Sequence, residues 1–219
     1  INSGYEFPTR RITVNLAPAD LPKHGTRYDL AIALGILAAS NQIPTARLEQ
    51  TECIAELALT GRLRPVRGVL PAALAARDSG RAILTACGDD AEAALVTQLK
   101  VYAGETLDRV CRHLNDLEPL AQTATQHCDQ QPFHADADLA DIHGQYQGKR
   151  ALEIAASGGH NLLMLGPPGT GKTMLAIRLP GLLPPLSEVE AFESAAVLSI
   201  SGLGFDSNKW RARPFRSPH

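Results

Sequence analysis

The chain has 219 residues, room for one large domain or two small ones, and carries a net charge of −2 at pH 7. Its hydrophobic content of 44% and charged content of 20% are those of an ordinary soluble protein. The net charge gives no global attraction to nucleic acid, and the longest apolar run, residues 30–39, is too short to span a bilayer. The four cysteines contain no C-x-x-C pair, which favours buried thiols in a reducing cytoplasm over a zinc site or a disulfide framework.

Residues 1–118 alternate strand and helix patterns, which predicts a compact α/β domain. The strand patterns are an alternation at Ile12, Val14 and Leu16, a hairpin of residues 53–59 and 62–66, and short runs at 82–85 and 101–103. The helix patterns are 29–39 with Asn41 as C-cap, a helix with Pro71 in its first turn that ends near Gly80, 89–99, and 106–114.

From residue 119 to 137 the periodicity is lost and Gln, Thr, His and Asp dominate, which predicts a linker. Residues 138–219 form a second region. Asp136, Asp138 and Asp141 are expected to cap a helix start, because they lack the Gly and terminal Glu of a calcium loop. The elements predicted after them are a helix 149–156 closed by Gly158-Gly159, a buried parallel strand 160–165, a helix 174–179 stopped by Pro180, and a helix to about Val197 that begins with the capping box Ser187-x-x-Glu190.

Residues 166–173, between the predicted strand and the helix after it, match G-x-x-x-x-G-K-[ST], the loop that wraps nucleotide phosphates. Glycines let the backbone turn tightly and approach the anion, and the backbone N–H groups at the helix start converge on it. Lys172 is expected between the β- and γ-phosphates of ATP, and the Thr173 hydroxyl on Mg²⁺. The nucleotide-binding residues predicted by this motif are Gly166, Pro167, Pro168, Gly169, Thr170, Gly171, Lys172 and Thr173.

Nine segments spread over essentially the whole chain carry a resemblance to a known family: 2–8, 11–22, 29–37, 56–69, 71–76, 138–145, 166–173, 179–185 and 213–219. In this order they resemble the magnesium-chelatase-like AAA+ ATPases of the ComM/YifB group. The resemblance implies that residues 1–118 have the fold of ribosomal protein S5 and of the Lon proteolytic domain, without its N-terminal part. It implies that residues 138–219 are the opening part of an AAA+ module with a parallel sheet. The segment around Ile142, Gly144 and Gln145 is then expected near the adenine.

Two departures from the family patterns limit the chemistry expected of this chain. Lon-type peptidases use a Ser–Lys pair, but residues 24–28 hold no serine and residues 70–73 no lysine, so proteolysis is not expected. ATP hydrolysis in this family needs an acidic strand end and an arginine from a neighbouring subunit. No apolar run ending in Asp-Glu follows Thr173. The chain therefore reads as a piece of a longer ATPase that binds nucleotide weakly at most and does not hydrolyse it alone.

Three functions remain open at this point. The resemblance favours a cytoplasmic homo-hexameric motor that drives branch migration of DNA during uptake and recombination. Residues 209–213 and Arg216 form a basic-aromatic cluster that would suit DNA, although a solvated hairpin is the more ordinary interpretation. A magnesium-chelatase-type ATPase subunit shares the same phosphate loop, but is not expected to carry the S5-type domain. A protein-binding module switched by nucleotide is the third alternative.

Overall fold

The computed structural model describes residues 4–16, 25–124, 137–201 and 210–216. The chain divides into two units, one of Ile1–Cys128 with Ala196–Ser207 and one of Asp129–Ala195 with Asn208–His219. Most of the predicted linker, 125–136, lies outside the described residues. The chain just before residue 125 is hydrogen-bonded to the sheet, since Thr123 donates its N–H to the Val101 carbonyl. Among the described helices, none has the length and apolar character needed to cross a membrane.

The first unit is built on a parallel three-stranded sheet, which confirms the α/β class. Its order is β1-β4-β5, and β2 and β3 form a separate antiparallel pair. The register places Cys53 beside Leu84 and Leu84 beside Tyr102. The strands are β1 (Thr51–Ile54), β2 (Glu56–Leu57), β3 (Leu63–Arg64), β4 (Ala82–Ala86) and β5 (Val101–Gly104).

Four helices pack with these strands, and their apolar faces form the core of the unit. The helices are α1 (Asp29–Ala39), α2 (Val69–Asp78), α3 (Asp90–Ala93) and α4 (Leu107–Leu114). Leu30 and Leu34 of α1, Leu84 of β4, and Val110 and Leu114 of α4 share one buried cluster. An apolar stripe on each helix is the part that the sequence pattern detects, because burying it is what holds the helix to the sheet.

Most predicted elements of this unit are confirmed. Helices α1 and α4 have the predicted extents, and the Thr106 hydroxyl accepts the Arg109 N–H as the N-cap of α4. Pro71 lies in the first turn of α2. Ser40 is the C-cap of α1, and Asn41 follows it with φ of 59°, one residue later than the cap position predicted for it. The hairpin is present but shorter than predicted, because residues 51–54 pair with β4 instead.

Two predicted elements are wrong. Residues 10–16 form no strand, and Ile12 and Val14 are exposed, because nothing in the described ranges pairs with their backbone. Helix α3 ends at Ala93 rather than near Leu99. Leu95, Val96 and Leu99 are all buried, so the apolar residues that suggested a longer helix are packed in irregular chain. The chain turns there instead, with Gln98 in the left-handed region. The expectation of buried thiols holds for Cys111 but not for the exposed Cys87, and Cys128 lies outside the described residues.

The described residues from 137 to 201 contain three helices and a 3₁₀ turn, and the last helix begins in the second unit and ends in the part of the chain assigned to the first. They are a 3₁₀ turn (Leu139–Asp141), α5 (Tyr146–Gly158), α6 (Lys172–Leu182) and α7 (Glu188–Ile200). Asp138 and Asp141 form a reciprocal capping box at the 3₁₀ turn, as predicted for a helix start, whereas Asp136 lies outside the described residues. Ser187 and Glu190 form the predicted box at α7, with the Ser187 N–H donating to Glu190 Oε2 at 2.9 Å.

Two predictions for this unit are corrected. Residues 160–165 form no strand, and Leu163 and Leu165 are more than three-quarters exposed, so the predicted buried strand is absent from this segment. A strand needs a neighbour to accept its hydrogen bonds, and no strand is assigned in 137–201 or 210–216. Pro180 does not stop α6, which continues to Leu182. Leu175, Leu179 and Leu182 pack in one cluster, and this burial offsets the single helical hydrogen bond that Pro180 cannot donate.

Carboxylates of the α3 turn stabilise the start of α2 from across the fold. The Leu70 N–H, near the start of α2, donates to Glu92 Oε1 at 3.0 Å, and the Val66 N–H donates to Asp89 Oδ2 at 2.9 Å. Both carboxylates accept hydrogen bonds from another element, and the Asp89 side chain makes no cap hydrogen bond to α3, the helix that it precedes.

We expect Asp89 to make unfolding pH-dependent. Burial raises the pKa of its carboxyl to about 6, opposed by the Val66 N–H and assisted by the charges of Glu92 and Asp90. A carboxyl with a raised pKa binds its proton more tightly in the folded state, so its stabilisation is present at low pH and is lost as pH rises from about 4 through about 6. The urea-unfolding free energy of wild type relative to Asp89→Asn should fall by about 2 to 3 kcal/mol over this range. Asp78→Asn, at an exposed carboxylate, is the control; an equal slope for both variants contradicts the assignment.

We expect Gly104→Ala to destabilise the first unit by about 1 to 3 kcal/mol. A Cβ at residue 104 would lie 2.6 Å from Val110 Cγ2, and Val110 is fully buried and branched at Cβ, so it cannot move aside. Gly35→Ala, in α1, is the matched control because nothing lies within 4 Å of its Cβ position. It should be neutral or stabilise by up to about 1 kcal/mol. Thermal unfolding that affects both variants equally would exclude this explanation.

Candidate phosphate-binding site

The phosphate loop, residues 166–173, connects segment 160–165 to the start of α6. Gly169 and Gly171 have φ of 83° and 81°, which residues with a Cβ rarely adopt. Gly171 is the N-cap of α6, and the Leu175 N–H donates to its carbonyl at 3.0 Å. The glycines predicted from the motif therefore occupy positions where the backbone conformation requires them.

The backbone N–H groups of this loop make no hydrogen bond within the described residues. This holds for residues 169–173, the last residues before α6 and its first turn. A helix start leaves N–H groups unsatisfied, and here no side chain caps them. Their partial positive charges, together with the helix dipole, form a site suited to a polyphosphate.

The Lys172 ammonium lies folded against the same loop. Its Nζ donates to the carbonyls of Gly166 at 2.8 Å and Pro167 at 2.7 Å, and lies 3.3 Å from the Thr170 hydroxyl. The Thr170 hydroxyl itself donates to the Pro167 carbonyl at 3.0 Å. A full positive charge is therefore held over the loop that carries the unpaired N–H groups.

Thr173 is the second residue of α6 and is exposed. Its hydroxyl makes no hydrogen bond to any residue in the described ranges. It lies one residue after Lys172, where a hydroxyl oxygen is available to a hard cation such as Mg²⁺.

Apolar contacts hold α6 against α5 behind the loop. Leu175 of α6, Leu152 of α5 and Ile142 form a buried cluster, with Met164 at its edge. The two helices approach closely at Gly148, where an added Cβ would lie 2.8 Å from Leu175 Cδ1. The base of the loop is thus attached to a packed pair of helices.

The residues expected near the adenine lie at the start of α5. Ile142 is buried in the cluster, and Gly144 and Gln145 both have positive φ, of 68° and 53°. The Gln145 side chain reaches the phosphate loop, since its Nε2 donates to the Thr170 carbonyl at 3.0 Å. The structure therefore brings Gln145 to the phosphate loop; a contact with the base stays a prediction.

Sequence reasoning missed one tether of this site, Arg178. Its Nε donates to the Asp138 carbonyl at 2.6 Å, its Nη1 to the Met174 carbonyl at 2.9 Å, and its Nη2 lies 3.6 Å from Asp141. Its side chain is only 13% exposed. A single Arg at the end of an apolar helix was the available signal, but its partners are 37 and 40 positions earlier in the chain.

The basic-aromatic cluster shows the packing of an ordinary structural element. Trp210 packs edge-on against Phe192 of α7, with ring centroids 4.8 Å apart, and Arg213 donates from Nε to the Pro184 carbonyl at 2.7 Å. The ring that was a candidate to stack a base is therefore engaged with the protein. Lys209 lies outside the described residues.

The region aligned with the Lon-type serine contacts the chain just before α2. Arg27 donates from Nη2 to the Gly68 carbonyl at 3.3 Å, two residues before the region aligned with the lysine. Residues 25–28 hold no serine and residues 70–73 no lysine, so neither aligned region supplies its half of the Ser–Lys pair.

The chain is similar to known proteins along its whole length. A family model described as magnesium chelatase, subunit ChlI, matches residues 138–219, and one described as subunit ChlI of Mg-chelatase matches residues 1–88. Over all of this chain, the uncharacterized protein YifB is 53% identical in Salmonella typhimurium and 50% identical in Escherichia coli. Competence protein ComM of Haemophilus influenzae is 51% identical, again over all of this chain. The chain spans 43% to 44% of the length of these relatives.

Proposed function

Because the chain belongs to the magnesium-chelatase-like proteins of the ComM/YifB type, we propose that its phosphate loop binds ATP with Mg²⁺ and that the whole protein is an ATP-driven DNA motor. The observation that carries the nucleotide part is the row of unpaired N–H groups at residues 169–173 beside the Lys172 ammonium. These donors fit a triphosphate, and the exposed Thr173 hydroxyl fits its Mg²⁺.

Each residue of the loop has a defined role in this proposal. Lys172 would exchange the carbonyls of Gly166 and Pro167 for phosphate oxygens, a stronger charge-assisted contact. The N–H groups of 169–173 would hold phosphate oxygens, and the Thr173 hydroxyl would hold Mg²⁺. Bound ATP supplies the free energy of γ-phosphate transfer to water. Residues 174–219 contain no apolar run ending in Asp-Glu, so this chain is expected to bind nucleotide without turning it over.

The proposed domain organisation follows the family. Residues 1–118 are a non-proteolytic S5-type platform, 119–137 a linker, and 138–219 the first part of an AAA+ module. The whole protein would assemble as a homo-hexamer, because AAA+ hydrolysis takes an arginine from a neighbouring subunit. The proposal includes action on DNA, with branch migration as its form; the relative from Haemophilus influenzae is named a competence protein.

A magnesium-chelatase-type ATPase subunit is the second candidate. It is favoured by the fact that both matching family models describe the chelatase subunit ChlI. The two candidates share the nucleotide site and differ in the partner that the motor acts on, DNA or a porphyrin-binding subunit.

We expect Lys172→Ala to weaken ATP binding to this chain on the order of tenfold to a hundredfold, because charge-assisted bonds to the phosphates are lost. Isothermal titration with ATP and Mg²⁺ measures the change. The fold should survive, since Lys172 makes only exposed contacts. Lys149→Ala, at a lysine of α5 whose side chain makes no ion pair in the described residues, is the control. Equal ATP affinity in wild type and Lys172→Ala would refute the proposed site.

The full-length protein is expected to hydrolyse ATP several-fold faster when single-stranded or branched DNA is added, with a stimulation that weakens as salt rises. A phosphate-release assay with and without each DNA tests this. Turnover that ignores DNA and responds instead to a porphyrin-loaded partner subunit would replace the DNA motor by the chelatase subunit.

A further inference from the structure

We infer that Gln145 is a positioning residue that orients the phosphate loop, and not a residue that reads the base. The inference rests on the proposed nucleotide binding and names a determinant of the same site. Its starting observation is the hydrogen bond from Gln145 Nε2 to the Thr170 carbonyl, which spans 25 positions of sequence.

The accepting carbonyl belongs to the peptide group that the site depends on. The Thr170 C=O and the Gly171 N–H share one planar trans peptide, so they point in opposite directions. Fixing the carbonyl toward Gln145 therefore fixes the Gly171 N–H away from it. Gly171 is among the residues whose N–H makes no hydrogen bond in the described ranges. The Gln145 amide also lies along Gly171, whose Cβ position is 3.7 Å from Nε2.

The backbone at Gln145 is held in an uncommon conformation. Gln145 has φ of 53° and ψ of 36°, in the left-handed region, and is the N-cap of α5 without capping it through its side chain. A residue with a Cβ adopts this region only at a cost, and Gly144 before it also has a positive φ. An N-cap side chain normally accepts a helix N–H; here it donates to the loop instead.

The segment that carries Gln145 is anchored at both sides. Upstream, Arg178 of α6 binds the Asp138 carbonyl and pairs with Asp141. Downstream, Gly148 lies against Leu175 of α6. Helix α6, which begins at the phosphate loop, therefore also holds the segment that carries Gln145. It keeps the Gln145 amide within hydrogen-bonding distance of the Thr170 carbonyl.

The consequence is a loop whose peptide is oriented before phosphate arrives. Without the Gln145 amide, the 170–171 peptide can rotate, helped by the flexible Gly171 that follows it. Binding must then pay for ordering this peptide. The resulting loss of affinity concerns the phosphates, so it is the same whatever base the nucleotide carries. A base-reading residue would show the opposite behaviour.

The test uses inorganic tripolyphosphate with Mg²⁺, which has no base, beside ATP and GTP, on the 219-residue chain. Two variants remove the donor: Gln145→Glu keeps the shape, and Gln145→Gly suits the left-handed backbone, so it folds even if the first variant does not. Gln147→Glu is the matched control, at an exposed residue of α5 that makes no side-chain hydrogen bond in the described ranges. It adds the same charge to the same helix turn.

Both Gln145 variants should weaken tripolyphosphate, ATP and GTP by one common factor of about three to ten, and leave the ATP-to-GTP ratio unchanged. Gln147→Glu should bind as wild type does. Unchanged tripolyphosphate affinity, or an altered ATP-to-GTP ratio, would overturn the positioning role. If wild type binds all three ligands and loses them on Lys172→Ala while the Gln145 variants match wild type, only this inference fails. If wild type binds none of them, the proposed function fails with it.

Discussion

The phosphate loop depends on an asymmetry between its two kinds of backbone group. The carbonyls of Gly166, Pro167 and Thr170 all accept hydrogen bonds from side chains. The N–H groups of residues 169–173 donate to nothing in the described part of the chain. Satisfying the acceptors with Lys172, Thr170 and Gln145 holds the chain in place and leaves a surface of donors. A polyphosphate is the ligand that such a surface recognises, because it offers many acceptor oxygens and a high negative charge.

The start of α2 in the first unit shows the same physical problem solved in the opposite way. Its Leu70 N–H is satisfied by Glu92, a carboxylate from another helix. At α2 a protein carboxylate accepts the hydrogen bond that a phosphate oxygen would accept at α6. The Leu70 N–H is therefore already satisfied, and the contact stabilises the fold. At the start of α6, by contrast, no acceptor in the described part of the chain meets the N–H groups, and this is the terminus proposed to bind phosphate.

Aromatic and basic residues near the end of the chain show why local composition misleads. Residues 209–213 contain the types that bind single-stranded nucleic acid, yet Trp210 packs on Phe192 and Arg213 binds the Pro184 carbonyl. Arginine and tryptophan suit both tasks, since each combines a large apolar area with donors. The proposed action on DNA accordingly draws on the family and on the relative named for competence, and not on this cluster.

The sequence by itself determined the elements whose signal is local. Helices α1 and α4, the capping boxes at Asp138 and Ser187, and the glycines of the phosphate loop follow from side-chain periodicity, from caps three residues apart, and from backbone angles that favour glycine. Tertiary structure decided where an element needs a distant partner. The strand patterns of residues 10–16 and 160–165 have no neighbouring strand in the described ranges. Helix α3 ends at Ala93 although Leu95 and Val96 after it are buried, and α6 passes Pro180 because Leu182 is packed. The bond from Gln145 to Thr170 belongs to the same class: no local pattern encodes a contact across 25 residues, since only the packing of α5 on α6 brings the two groups within hydrogen-bonding distance.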